Sequence, residues 1–309
     1  MLSSSLASLA VALSSTAHAG SGPWVVSPGD LSLYAGTEYQ RIEELVIHDD
    51  GEEVDVIPVD DGLETFGVKA IASYGLRERI ELQLEVPWYR VEANRQEGAV
   101  CTSLGLQACA TTEGLGVIST QVKGLVLDEL AGSPVSLSVA GLLRFGAFTS
   151  DERARLTNIS EGTTDLGGSL AVGRSGGLGD GFWSAWTEVG WRHRFPNAER
   201  GGIGVPGGEM TADADVLAGL RRWWSIGPSV SMLYRPDGYD FVSFDATSPD
   251  RLGELRIFTT RIGGKLILRS NERVSVVASA HKAMIVRNNP TPISLGLGLS
   301  VQPRRKRAE

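Results

Sequence analysis

The chain has 309 residues, 42% of them hydrophobic and 21% charged, with a formal net charge of −8. A balance this acidic excludes nucleic acid as a partner. Beyond residues 1–19 no apolar run reaches the about 20 residues that a spanning helix needs. Membrane passage would therefore require a closed barrel, which leaves no sheet edge unpaired in lipid.

Residues 1–19, MLSSSLASLAVALSSTAHA, hold no acidic or basic side chain. Their apolar stretch runs into Ala17-His18-Ala19, an A-x-A cleavage signature. They read as a secretory signal, which makes residues 20–309 the mature chain.

One kind of segment then recurs, with alternating character and an end marked by Gly, Pro, Asn or Asp. Twelve strands are predicted, over about 30–41, 63–75, 80–92, 114–128, 134–148, 163–174, 182–195, 210–222, 227–236, 251–267, 273–286 and 292–301. No stretch has helical periodicity and no composition shift marks a second domain. The prediction is a single all-β domain.

The connections sort by length. The first, 42–62, is long and strongly acidic. Oxygen-rich loops can hold Ca²⁺, which makes Asp49, Asp50, Glu52 and Glu53 weak metal candidates. EF-hand spacing is absent, and a solvated loop is the preferred reading. The third, 93–113, carries Cys101 and Cys109 in CTSLGLQAC. In an exported chain two cysteines this close predict a small disulfide loop, with two free thiols as the alternative. The fifth, seventh and ninth connections, 149–162, 196–209 and 237–250, are also long. Between them lie the short ones: GLRE, ELAGS, SGGLGDG, WSIG and RSNE. The alternation breaks only at the eleventh, NNPTP, which is short where a long one is due.

Long loops on one rim, short turns on the other and both termini together are the layout of an outer-membrane barrel. The Greek-key crossovers of a sandwich would mix them. In IELQLEVPW, Ile80, Leu82, Leu84, Val86 and Trp88 then face lipid, and Glu81, Gln83 and Glu85 face a polar interior. The same division along the other strands gives the lumen-lining candidates Glu38, Lys69, Glu81, Glu85, Lys123, Arg144, Asp165, Glu188, Arg192, Asp213, Asp215, Arg221, Arg235 and Arg256. Trp88, Tyr89, Phe145, Phe148, Trp191, Phe195 and Tyr234 sit near the long-loop ends, and Trp183, Trp223 and Trp224 near the short turns. Two such bands match aromatic girdles.

The segments EGLGVISTQVKGLV, ISEGTTDLGGSLAVGRS and FWSAWTEVGWRHRFP resemble a family of bacterial outer-membrane barrels assigned to a phenol-degradation meta-pathway. Gly114, Gly116 and Lys123 match its first motif. Gly162, Thr164, Asp165, Leu166 and Gly168 match the second, and Gly190, Trp191 and Arg192 approximate the third. The opening SGPWVVSPGDLSLYAGTEYQ resembles the family's first strand. The resemblance implies an outer-membrane channel or transporter for aromatic or other small hydrophobic compounds. Such barrels usually end on an aromatic residue read by the barrel-assembly machinery. Here the end is SVQPRRKRAE, which implies that the last strand signals internally or that assembly differs.

No G-x-S-x-G motif occurs, and GGLGDG at 176–181 lies between strands, where it is a turn and not a phosphate loop. Ser279 and His281 share a strand face two residues apart. They form the only candidate for a lipid hydrolase working at the bilayer surface, a reading that no motif supports. No catalytic residue and no cofactor are expected. The expected partners are outer-membrane lipid, lipopolysaccharide, the assembly machinery and a small solute. The basic tail, 302–309, is expected on the periplasmic side. A structural or adhesive barrel acting through its external loops is the alternative function.

Overall fold

The computed structural model describes residues 22–49, 52–93, 111–145, 163–195, 207–221, 223–237, 256–271 and 273–303. Asp50, Cys101, Cys109 and the end of the basic tail lie outside the described residues, as do the side chains of Asp49, Glu52 and Glu53.

The strands are β1 Leu31–Asp49, β2 Glu52–Arg77, β3 Ile80–Ala93, β4 Thr112–Leu115, β5 Ile118–Leu127, β6 Ser136–Phe145 and β7 Thr164–Leu178. They continue as β8 Gly181–Phe195, β9 Gly208–Arg221, β10 Trp224–Arg235, β11 Ile257–Asn271, β12 Val274–Arg287 and β13 Asn289–Val301. Both β4 and β5 pair with β3, so they are one stave interrupted at Gly116 and Val117. Thirteen strands thus make twelve staves. Each stave is antiparallel to the next, and β13 returns to β1 from Leu33↔Val301 to Val46↔Asn289. The sheet is therefore a closed up-and-down barrel.

Alternation decides which side of this wall is apolar. Leu82 and Leu84 are 39% and 46% exposed on the outside, while Glu81 between β3's apolar positions is 1% exposed on the inside. On β13 the outward set is Ile293, Leu295, Leu297 and Leu299, with Ser294 and Ser300 buried behind it. Val122, Val139, Leu166, Leu170, Val216, Ile226 and Ile262 continue the outer band around the barrel. A soluble protein would not expose a belt of this size. All uninterrupted staves have at least the 10 residues of β6, enough to cross a bilayer when tilted.

Two connections depart from the expected pattern. The acidic first connection is not a loop: β1 and β2 continue through it as a hairpin, with Leu45↔Ile57, Val46↔Val56 and Asp49↔Glu52 in register. Its β-branched residues (Val46, Ile47, Val54, Val56 and Ile57) favour strand whatever the charge between them. The eleventh connection closes on Asn288 alone, at φ 49, a left-handed conformation that asparagine tolerates. Asn288 and Asn289 are fully buried. The Asn288 amide donates to the Arg256 carbonyl at 3.0 Å, and Asn289 donates to Thr259 Oγ1. This turn is short because it folds against the start of β11.

Aromatic pairs mark the rims. His193 packs on Trp191 and Phe195, with ring centroids 6.3 and 4.7 Å away. Tyr234 and Phe258 meet edge-on at 6.0 Å. Trp223 and Trp224 sit together at the short-turn end. Tyr89, expected in the girdle, instead turns inward and is buried.

Candidate functional site: the barrel lumen

The inner wall is charged, and its charges are organised. Near the long-loop rim a ladder crosses five neighbouring staves. Arg144 of β6 lies 3.5 Å from Asp165 of β7, and Asp165 lies 3.4 Å from Arg192 of β8. Arg192 also pairs with Glu209 of β9, whose second oxygen is 3.0 Å from Arg235 of β10. Thr163 Oγ1 donates to Asp165 at 2.6 Å. Each bond in this run is charge-assisted, which is the arrangement that makes burial of such groups tolerable.

The rest of the inner wall near this rim mixes aliphatic side chains with buried polar ones, among them Gln40, Thr65, Thr112, Thr259 and Asn289. Ile42 of β1, Leu63 of β2, Val91 of β3, Leu233 of β10 and Ile257 of β11 are all buried on the inner side near the same rim. The outer half of the lumen thus sets a guanidinium–carboxylate ladder beside a mixed aliphatic and polar wall.

Deeper in, Lys265 of β11 pairs with Asp215 of β9, and Gln40 donates to Glu38 at 2.8 Å along β1. Lys69 of β2 lies within electrostatic reach of Glu38 and Glu85 beside it and of Asp213 and Lys265 on the far wall. Staves β2 and β9 are six apart in a ring of twelve, so side chains from opposite walls fill the middle of the barrel. Tyr34 lies flat over Gly36 and Gly298, which face each other in register. Tyr89 lies in the same way over Gly67 and Gly116. A side chain at any of these glycines would occupy the ring's place. At the short-turn end, Glu81 and Lys123 pair at 3.3 Å, both buried.

Of the charges expected in the lumen, Glu38, Lys69, Glu81, Lys123, Asp165, Arg192, Asp215 and Arg235 are buried inside. Glu85, Arg144, Glu188 and Asp213 are half-buried on the same wall. Arg221 is exposed at the short-turn rim. Arg256 precedes β11, whose inward positions are the odd ones, so Arg261 and Lys265 are the buried charges of that strand. Arg194 and Glu209 are also buried inside. Parity with Arg192 is the signal that finds Arg194. Glu209 fell at the end of a predicted loop because β9 begins earlier than its alternation declares. Ser279 and His281 both lie on the lumen face, opposite Gly296 and Ser294 of β13. Among the described residues no cluster of His, Cys, Asp and Glu has the geometry of a metal site.

No protein-family model matches the chain, and no curated protein matches it in sequence. Solved structures do match. The COG4313 outer membrane channel from Pseudomonas putida F1 superposes with a TM-score of 0.66 at 15% identity, over 93% of this chain and 100% of that one. The fold is therefore that of an outer-membrane barrel. The CymD monoaromatic hydrocarbon channel (TM-score 0.42, 10% identity, 91% of this chain and 90% of that one) and the Ralstonia pickettii toluene transporter TbuX (0.40, 9%, 92% and 91%) align more loosely.

Proposed function

We propose that the protein is an integral outer-membrane channel that passes small solutes by passive or facilitated diffusion, without covalent chemistry. One observation carries the reading: a closed barrel whose apolar face is outside and whose charges are inside. Such a wall separates lipid from a polar conduit. The lumen charges named above, with Arg194, Glu209, Arg261 and Lys265, tune what enters.

The solutes are small compounds with an apolar, often aromatic, body. The aliphatic side chains of Ile42, Val91 and Ile257 near the Arg192–Glu209–Arg235 ladder at the long-loop rim support this. The resemblance to the phenol-degradation barrels points the same way. Export by a cleaved signal, insertion by the assembly machinery and contact with lipopolysaccharide belong to the same proposal.

Membrane fractionation with heat-modifiable gel mobility tests location, and conductance in planar bilayers tests the pore. A soluble periplasmic protein with no mobility shift on heating ends the membrane reading. A folded barrel that never conducts leaves a structural barrel in its place.

A further inference from the structure

We infer that residues 22–30 form a strap that closes the short-turn mouth of the lumen and must move for that mouth to open. The inference deepens the channel reading and rests on it.

The strap runs inside the barrel from the foot of β1 to the opposite wall. Staves β1 and β8 are six apart whichever way the ring of twelve is followed, so a segment joining them crosses the mouth. At its β1 end the chain turns back, with Asp30 N donating to Ser27 O at 2.9 Å. It is tied to β2 by Gly29 N to Gly75 O at 2.7 Å and Gly75 N to Asp30 O at 3.1 Å. Approach is so close there that a Cβ on Gly75 would stand 2.1 Å from the Ser27 carbonyl. Next, the Val26 amide donates to Glu81 Oε2 of β3 at 2.7 Å. Lys123 of β5, the partner of Glu81, donates from Nζ to the Gly22 carbonyl at 3.5 Å.

The far end is clamped on β7, β8 and the turn before β6. Pro23 packs against Gly173 of β7, and Gly22 lies against the ring of Trp186, an inward residue of β8. Gly22 has φ +93, a conformation costly for any other residue, so the fit to Trp186 is specific to glycine. The Trp24 indole donates to Glu129 Oε1 at 3.0 Å. Glu129 in turn accepts from Ser175 N and Oγ at 2.9 and 2.6 Å. Gly22, Pro23 and Trp186 are buried as a result. At the same end of the barrel the Arg269 guanidinium of β11 sits 4.2 Å from the Phe182 ring centroid on β8.

A strap of this kind is built to move. Apart from the backbone pair with Gly75 beside β1, it is held by side-chain bonds and close packing and does not join the sheet as a stave, so residues 22–26 can leave without breaking the barrel ladder. Segments with few backbone bonds to the fold open first.

The test uses full-length protein in lipid vesicles and planar bilayers, in a Cys101→Ser, Cys109→Ser background. Ala171→Cys places one thiol on the inner face of β7, two residues deeper than the Gly173 contact; Ala171 is buried beneath the strap. The readouts are its labelling rate with a small charged thiol reagent and single-channel conductance. Deletion of residues 22–29 should raise labelling about tenfold or more, the ratio that about 1.4 kcal/mol of lost closure gives. Conductance should rise with it. Trp24→Ala, which keeps the whole chain, should raise both by a smaller factor. Labelling unchanged in both variants, each shown folded by heat-modifiable mobility, overturns the strap. Labelling that rises while no variant conducts upholds the strap and removes the channel reading.

Discussion

Arg235 Nη2 lies 3.0 Å from Glu209 Oε2, with both side chains fully buried. Glu209 also pairs with Arg192, so one carboxylate joins two guanidiniums from the staves on either side. Replacing it by glutamine removes the carboxylate that Arg192 and Arg235 share, while Arg192 keeps Asp165. Such a loss typically costs roughly 3–5 kcal/mol. Glu209→Gln should lower the urea midpoint of the folded barrel and shift ion selectivity toward anions in planar bilayers. Arg221→Gln, at the exposed rim, should leave the unfolding free energy within about 0.5 kcal/mol of the parent.

Closure by the strap should weaken in acid. Burial pushes the Glu129 carboxyl up, but hydrogen bonds from Ser175 and Trp24 and the charge of Arg174 outweigh it, so its pKa is lowered. A carboxyl with a depressed folded value stabilises its contacts above the ordinary carboxylate range and loses them as pH falls through the depressed value. Tryptophan fluorescence from the Trp24 environment should therefore change on acidification below that range. The change should be absent in Glu129→Gln, whose amide cannot ionise. A transition identical in Glu129→Gln would assign the response elsewhere.

Polarity on the outer band should be costly where polarity on the inner wall is not. Leu297 is 57% exposed, mid-way along β13, and Leu295 and Leu299 flank it on the same face. Leu297→Arg should destabilise the barrel in vesicles by about 2–4 kcal/mol, the cost of a cation near the bilayer midplane. Ser294→Lys, on the opposite face of the same strand, should fold with a smaller loss. Equal penalties at the two positions would contradict the inside-out arrangement.

The tyrosines on the inner wall should control the width of the pore. A Cβ on Gly298 would lie 2.2 Å from the Tyr34 hydroxyl. Gly298→Val should lift that ring off the wall and reduce conductance, and adding Tyr34→Ala should restore it. Gly141→Ala is the control, because a Cβ there meets nothing within 4 Å. Its conductance should equal that of the parent.

Most of the barrel was legible in the sequence because each stave is specified locally. Alternation places Leu82 and Leu84 on one side and Glu81 on the other without reference to any distant residue. Loop sorting then gives the up-and-down order. Errors arose where a local cue was ambiguous. The acidic charge of 42–62 masks a strand-forming hairpin, and the alternation of β11 leaves Arg261 and Lys265 unmarked as the buried charges of that strand. The place of Tyr89 near a strand end suggests the girdle, although its parity with Glu85 and Pro87 turns it inward.

The sequence by itself determined the staves, their apolar side and the rim to which each connection belongs, since these follow from a two-residue period and from turn chemistry. Only the tertiary structure decided which charges meet and what occupies the mouth. Arg192 finds Glu209, Lys69 faces Asp213, and Trp24 reaches Glu129 because closure and stagger bring distant positions to one height. Residues 22–30, which lie ahead of the predicted strand 30–41 in a stretch that resembles a first strand, fold across the lumen. A single crossing segment has no period to betray it; its path is set by the shape of the space that the finished barrel leaves.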